Sequence, residues 1–267
     1  MAVRALLRSH SCVHRRDSRS HSSQTASYCL QLVRQRDHDG FLCTLLLPPE
    51  SQHSVFALRA FNVELSQVKD SVSQKNLGLM RMQFWKDSLQ DIYEDNPPHH
   101  PVAVELAKAI QKHKLTRRWL TRIIDDREKN LDDRAYRNIK ELETYAENTQ
   151  SSLLYLTLET LDVRDVHADH AASHIGKAQG IITCLRAVPF HSSCRKVFLP
   201  VDICVLARSF QKKVHGKAFP AFNITVPLDS YLRRLRRADF NVFHPGLQRR
   251  DPWLPLSLYI RSWKKTY

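Results

Sequence analysis

Apolar residues along this chain recur at steps of three and four, the spacing of one buried helical face, and almost nowhere alternate as strands require. The first clear case is Val55, Leu58, Phe61, Leu65 and Val68, which predicts a helix over about 53–72. Leu79, Met82, Trp85, Leu89 and Ile92 or Tyr93 predict a second over 76–93, ended by Asp95-Asn-Pro-Pro98. Shorter helices follow over 102–113 and 116–126, with Thr116 placed to cap the latter. Leu142, Tyr145, Leu153, Leu156 and Leu158 predict one long helix over 131–161. Asp165 is placed to cap another that runs to about Ala187, with Pro189 closing it. A basic amphipathic stretch occupies 230–239, and a last candidate helix 256–265. Order is expected from about Tyr28, where Cys29, Leu30, Leu32 and Val33 open the first periodic stretch, and Pro48-Pro49 stops the next short segment. The fold class read from the pattern is all-α.

Composition narrows this further. Six glycines in 267 residues suit a helical protein. The longest apolar runs, such as 41–49, fall short of the ~18 residues that span a bilayer. The net charge of +14 is uneven. Residues 1–27 hold five Arg and one Asp (+4), and residues 208–267 hold thirteen Lys/Arg and three Asp (+10). Residues 28–207 therefore hold 23 of each sign, a neutral body with basic ends. The first 27 residues, with Arg4, Arg8, Arg15, Arg16, Arg19 and seven serines, have the composition of a mitochondrial transit peptide. Two units are expected: a disordered leader over 1–27 and a helical domain over 28–267 with a basic C-terminal region. None of the six cysteines forms a C-x-x-C pair, so free thiols are expected rather than a zinc site.

Two helical segments carry a resemblance. Ala57-Leu-Arg-Ala-Phe-Asn-Val-Glu-Leu-Ser-Gln-Val-Lys-Asp70 and Ile175-Gly-Lys-Ala-Gln-Gly-Ile-Ile-Thr-Cys-Leu-Arg-Ala-Val-Pro-Phe-His191 resemble the two signature helices of the squalene/phytoene synthase family. Between them, Trp85, Leu89 and Tyr93, then Ile124-Asp125, Leu131, Tyr136, Glu141-Leu142 and Tyr145, follow that family's spacing. Val197-Phe198-Leu199-Pro200 resembles its tail. The resemblance covers most of 28–203 and implies an all-helical isoprenoid-synthase bundle around a cavity. In the family, aspartates one turn apart on each signature helix hold Mg²⁺ against a prenyl diphosphate. Here those positions read Ser66, Gln67 and Asp70 on one helix, and Ala187 and His191 on the other. The chain also departs after the Leu-Pro motif, where 202–210 joins parts that one or two helices normally separate, so the bundle is expected to be shortened after residue 204. Segments 54–64, 147–152, 167–170 and 258–263 resemble a non-enzymatic branch of the family, which implies a mitochondrial role in assembling respiratory complex I.

Ionising an allylic diphosphate needs carboxylate-held Mg²⁺, and this hard cation wants several oxygen ligands in octahedral geometry. One surviving carboxylate is too few, so no catalytic, cofactor or metal residue is expected. Two other clusters were weighed as metal sites. The run Asp125, Asp126, Glu128, Asp132 and Asp133 interleaves with Arg127, Lys129 and Arg134, the pattern of a solvated helix boundary. His167, His170 and His174 share a helical face with Asp169 nearby, but lack an H-E-x-x-H pattern. Cys184, Cys194 and Cys204 recur every ten residues, which suits no metal motif.

The basic residues Arg233, Arg234, Arg236, Arg237, Lys264 and Lys265 are the candidate membrane- or partner-binding set, with Tyr231, Leu232, Leu235 and Phe240 on the apolar side of the first helix. Anionic inner-membrane lipid is one expected partner, with each basic group near the surface worth ~1 kcal/mol. The competing reading is a helix docked on the bundle with its arginines in water. Complex I subunits or other assembly factors are the expected protein partners, on the matrix side of the inner membrane. Nucleic acid is not expected, because no RNA-binding motif accompanies the basic C-terminus. The alternative function is a divergent prenyltransferase acting on isoprenoid diphosphates.

Overall fold

The computed structural model describes residues 24–72, 74–132, 136, 139–193 (backbone alone for 188–193), 223, 225–238, 241 and 244–264. All regular structure among them is helical. Helix α1 covers residues 24–36, α2 His38–Leu45, α3 Pro49–Ser71, α4 Lys75–Tyr93, α5 Pro101–His113 and α6 Arg117–Lys129. Then come α7 Ile139–Ala146, a π-helical segment Glu147–Ser151, α8 Ser152–Thr160 and α9 Val166–Ser193. Helices α10 Thr225–Arg237, α11 Pro245–Gln248 and α12 Leu254–Trp263 complete it.

The periodic residues face inward as their spacing predicts. Val55, Leu58, Phe61, Leu65 and Val68 of α3 are all buried, as are Met82, Trp85, Leu89 and Ile92 of α4. Phe61 and Trp85 meet edge to face with centroids 5.3 Å apart, a contact worth about 1 kcal/mol beyond its area. Helix α3 also buries Phe56, Ala57, Ala60 and Val63, so it is enclosed on most sides. Helix α8 joins two apolar clusters. Leu153 and Leu156 enter the cluster built by α1 and α3–α6, while Leu154 and Leu158 enter the one built mainly by α9, α10 and α12.

Three sequence expectations change. Helical order begins by residue 24, and the Thr25 hydroxyl donates to Glu105 Oε1 at 2.5 Å. The long helix expected over 131–161 is broken: 131, 132 and 136 are not helical, and a π segment separates α7 from α8. Its polar side chains bond outward, with Ser151 Oγ donating to the Ser173 carbonyl at 3.0 Å and Glu147 accepting from Ser173 Oγ and Tyr155 Oη. A π turn lets an interior stretch re-aim such groups. Gly176 and Gly180 of α9 lie against it so closely that a Cβ on Gly176 would sit 2.4 Å from Ser151 Cα. Third, α9 continues through Pro189 to Ser193. A proline removes one ladder bond and strains one turn, a local cost that the rest of a long helix absorbs.

Caps are mixed. Asp37 accepts from the Gly40 N–H at 3.0 Å, and Asp165 accepts from the Ala168 N–H at 3.1 Å, as expected. Thr116 occupies the N-cap of α6, but its side chain makes no capping bond; its N–H donates to Glu159 Oε2 instead. Helices α4, α5 and α8 end on left-handed residues, Asp95, Lys114 and Asp162, with no glycine at any of them. The leader through residue 23, the tail motif 197–200 and the junction 202–210 lie outside the described residues, as do Cys12, Cys194, Cys204 and Lys265.

Candidate functional site

Helix α3 carries a polar stripe through its apolar surroundings: Arg59, Asn62, Ser66, Lys69 and Asp70, at steps that keep one helical face. That stripe faces a cavity of about 330 Å³ whose other walls come from α6, α7, the π segment, α8 and α9. Ser66 and Asp70 from the first signature helix and Ala187 from the second line this same cavity. Two segments more than a hundred residues apart are thus brought to one chamber. Gln67 is not on its wall; its amide nitrogen is buried without a hydrogen-bond partner. His191 belongs to α9, and its side chain lies outside the described residues.

The wall is cationic on balance. Arg36, Arg59, Lys69 and Arg127 line it against Asp37 and Asp70, four positive charges to two negative. Arg59 Nη1 pairs with Asp37 Oδ2 at 2.8 Å, and its buried Nε–H has no acceptor. Arg127 donates to Asn62 Oδ1 at 2.7 Å and to Tyr145 Oη at 3.2 Å, and its Nε–H is likewise buried without an acceptor. Lys69 Nζ donates to the carbonyls of Asn130 and Asp132 at 3.0 and 2.8 Å. Ser66 Oγ is turned back on its own helix, donating to the Val63 carbonyl at 2.8 Å.

The thiol and the two phenols of the wall are held in their protonated forms. Burial pushes the Cys184 thiol up to about 11, so it stays protonated at neutral pH. Burial also raises Tyr136 and Tyr145, against the opposing charge of Arg127. Elsewhere, burial holds Cys29 and Cys43 at about 12, and Cys29, Cys43 and Cys184 are free thiols.

The Mg²⁺ cluster that the family resemblance implies does not fit this donor set. A dication ~6 Å from one guanidinium is repelled by about 5 kcal/mol at an effective dielectric of about 20. Asp37 and Asp70 offset two of the four cations and leave two. Among the described residues, no group of three or more His, Cys, Asp or Glu is placed to hold a metal. The acidic run at the end of α6 and just beyond it is engaged in ion pairs: Lys86 bridges Asp125 (3.4 Å) and Glu128, and Lys75 holds Asp132 at 2.7 Å. Asp126 turns inward, accepts from Asn148 Nδ2 at 3.0 Å, and is raised above the usual carboxylate range by burial.

Residues 33–208 match the squalene/phytoene synthase family. The chain belongs to that family. It is similar to "NADH dehydrogenase (ubiquinone) complex I, assembly factor 6" of Homo sapiens, 61% identical over 277 residues, covering 91% of this chain and 83% of the relative. The Bos taurus protein of the same name is 60% identical over 280 residues, covering 92% and 84%. Among solved structures, a dehydrosqualene synthase in complex with ligand superposes with a TM-score of 0.75 at 16% identity, over 93% of this chain and 99% of that one. The all-helical isoprenoid-synthase fold is therefore present.

The basic candidates stand away from this cavity. Arg233, Arg236, Arg237 and Lys264 are exposed. Arg234 is half-buried and donates to the carbonyls of Gly246 and Arg249 at 3.3 and 3.0 Å. Tyr231 and Leu235 of the same helix are buried against the bundle, which puts the apolar face of α10 in the core. The cavity cations Arg59, Lys69 and Arg127 are not among the sequence-predicted site residues. The signal for Arg59 and Lys69 is the polar stripe on α3; Arg127, on α6, has none beyond its place in the mixed-charge run.

Proposed function

We propose that this chain is a non-catalytic mitochondrial factor for assembly of respiratory complex I, built on a prenyl-synthase scaffold. It acts by binding protein partners, complex I subunits or other assembly factors, and by peripheral association with the matrix face of the inner membrane. The observation that carries the non-catalytic reading is the excess of cations on the cavity wall where a metal-bound pyrophosphate needs carboxylates. The names of its relatives support the assembly role. The basic residues ahead of α1 serve as the targeting leader in this reading, and the helical domain begins by residue 24. Among the described residues no helix is long and apolar enough to cross a membrane, so association with one would be through the basic C-terminal helices.

Deleting the protein in cells and resolving respiratory complexes on native gels tests the assembly role. Complex I should fall while the other complexes persist; an unchanged complex I level removes the proposal. The rival reading, a divergent prenyltransferase, keeps one point in its favour: the cavity persists with Asp70 on its wall. Incubating purified protein with farnesyl or geranylgeranyl diphosphate and Mg²⁺ separates the two, and steady turnover would establish the rival.

A further inference from the structure

Helices α10 and α12 enclose a second cleft, of about 510 Å³, which is separate from the central cavity. Arg233, Arg234, Arg237 and Arg261 line it together with Trp253 and Ser257. We propose that this cleft is a binding site for the phosphate of an acidic phospholipid headgroup; the inference rests on the membrane-associated reading above and gives it a specific address.

Four observations carry it. First, the charge is concentrated and only partly compensated. Asp229 pairs with Arg261 at 2.9 Å and with Arg233 at 3.6 Å, and Asp251 is engaged by Ser230 Oγ and by the Trp253 N–H. Counting both aspartates, the four arginines still leave a balance of +2. Second, Arg234 Nη1 donates to the Gly246 and Arg249 carbonyls, which fixes its guanidinium beside the cleft. A pre-oriented guanidinium suits the fork geometry in which arginine binds phosphate oxygens. Third, Ser257 adds a hydroxyl at the wall, the usual neutral complement in a phosphate site.

The fourth observation chooses a lipid over a soluble phosphate. Leu256, Tyr259, Ile260 and Trp263 follow one another at helical steps of three, one and three along α12, and all are exposed, Trp263 at 77%. Trp253 at the cleft is 69% exposed. A stripe of aromatic and branched apolar side chains beside an arginine cleft is the surface that sits at the headgroup level of a bilayer, with rings among the glycerol backbones. A soluble anion would leave that stripe in water.

The test uses the full chain and two charge-matched double variants. Arg233→Gln with Arg237→Gln empties the cleft of its two exposed arginines. Arg236→Gln with Arg250→Gln removes two exposed arginines from the same C-terminal region that do not line it. Binding is measured by co-sedimentation with vesicles of phosphatidylcholine alone, phosphatidylcholine with phosphatidylglycerol, and phosphatidylcholine with oleate as a carboxylate-only anion. The inference expects tight binding only to the phosphatidylglycerol vesicles and a loss in the cleft variant at least ~10-fold greater than in its control, since two generic surface charges at ~1 kcal/mol each would cost either double variant about 30-fold alike. Equal losses in the two variants, or equal binding to oleate vesicles, would overturn the cleft while leaving surface adsorption standing. Absence of binding to any anionic vesicle would remove both the cleft and the membrane-associated reading. Full competition by millimolar glycerol phosphate would assign the cleft to a soluble phosphate and also defeat the proposal.

Discussion

Gly176→Ala is expected to destabilise the fold. The new Cβ would lie 2.3 Å from Ser151 Oγ and 2.4 Å from Ser151 Cα and N, against the 3.5–4.0 Å at which carbon atoms normally meet. Two of those three atoms are backbone, so no rotamer change relieves the clash; α9 must back away from the π segment by about 1 Å. Overpacking of this kind costs about 3 kcal/mol at the upper end of its usual range. Alanine returns about 1 kcal/mol through its better helix propensity, leaving a net loss near 2 kcal/mol. At roughly 2–4 °C per kcal/mol for a domain of this size, the melting temperature should fall by about 4–8 °C. Gly78→Ala is the control. Its Cβ would meet only the methyl ends of Leu131 and Val72 at 3.3–3.4 Å, which can shift, so the propensity gain should leave stability unchanged or slightly raised. Thermal unfolding followed by circular dichroism reads both. A Gly176→Ala protein as stable as the parent would refute the close approach of α9 to the π segment, and with it the placement of Thr183 and Ala187 on the cavity wall.

Asp162→Gly should stabilise by about 0.5–1 kcal/mol, because Asp162 takes a left-handed φ of 54° at the end of α8, where glycine meets no Cβ penalty; urea midpoints measure it. Arg59→Met should destabilise by about 2 kcal/mol by orphaning Asp37, somewhat less than for a fully enclosed pair because Asp37 keeps some access to water; the same titration would show it. Acidification supplies a third case. Burial lowers the folded-state pKa of His100, His113 and His174. The unfolded chain then binds more protons in the window that opens near pH 6.5 and closes below the folded values, so stability is full above that window and lost as pH falls through it. Stability independent of pH between 7 and about 5 would contradict this. Finally, millimolar Mg²⁺ should leave the melting temperature of the protein unchanged, since a cation that bound the folded form alone would raise it.

Helix positions were legible wherever a single face is buried. In α4, the five inward positions follow directly from spacing, and the observed ends differ from the expected ones by a residue. The break before α8 was not legible, because Glu147, Asn148, Thr149 and Ser151 fit a helix by composition; only their partners on α9 show why the backbone widens there. Pro189 misled for a related reason: its local cost is visible in sequence, while the rest of a 28-residue helix that outweighs it is not. At the site, the facing positions Ser66, Asp70 and Ala187 were recognisable through family resemblance. The cations were not, since Arg59 and Lys69 in isolation read as ordinary surface charges, and only the enclosure of α3 on its other sides turns them toward a chamber.

That enclosure also explains how a prenyl-synthase fold can persist while the charge of its cavity wall changes. The residues that hold α3 in place, Val55, Leu58, Phe61, Leu65 and Val68, are apolar and face the core. The residues that line the cavity from this helix, including Asn62, Ser66, Lys69 and Asp70, occupy the remaining face and are polar. Exchanging a carboxylate for Ser66 on that face removes no apolar burial, so it alters the chamber's charge at little cost to folding. Arg127 then takes a neutral amide and a phenol, Asn62 and Tyr145, as its partners, and the wall becomes stable without a bound cation. A chamber organised in this way favours anionic or neutral occupants over a metal-bound pyrophosphate. On this reading, substituting Arg127 by glutamine should weaken the wall itself and loosen α6 from α3, because Asn62 would lose the charged donor that its buried amide oxygen accepts from.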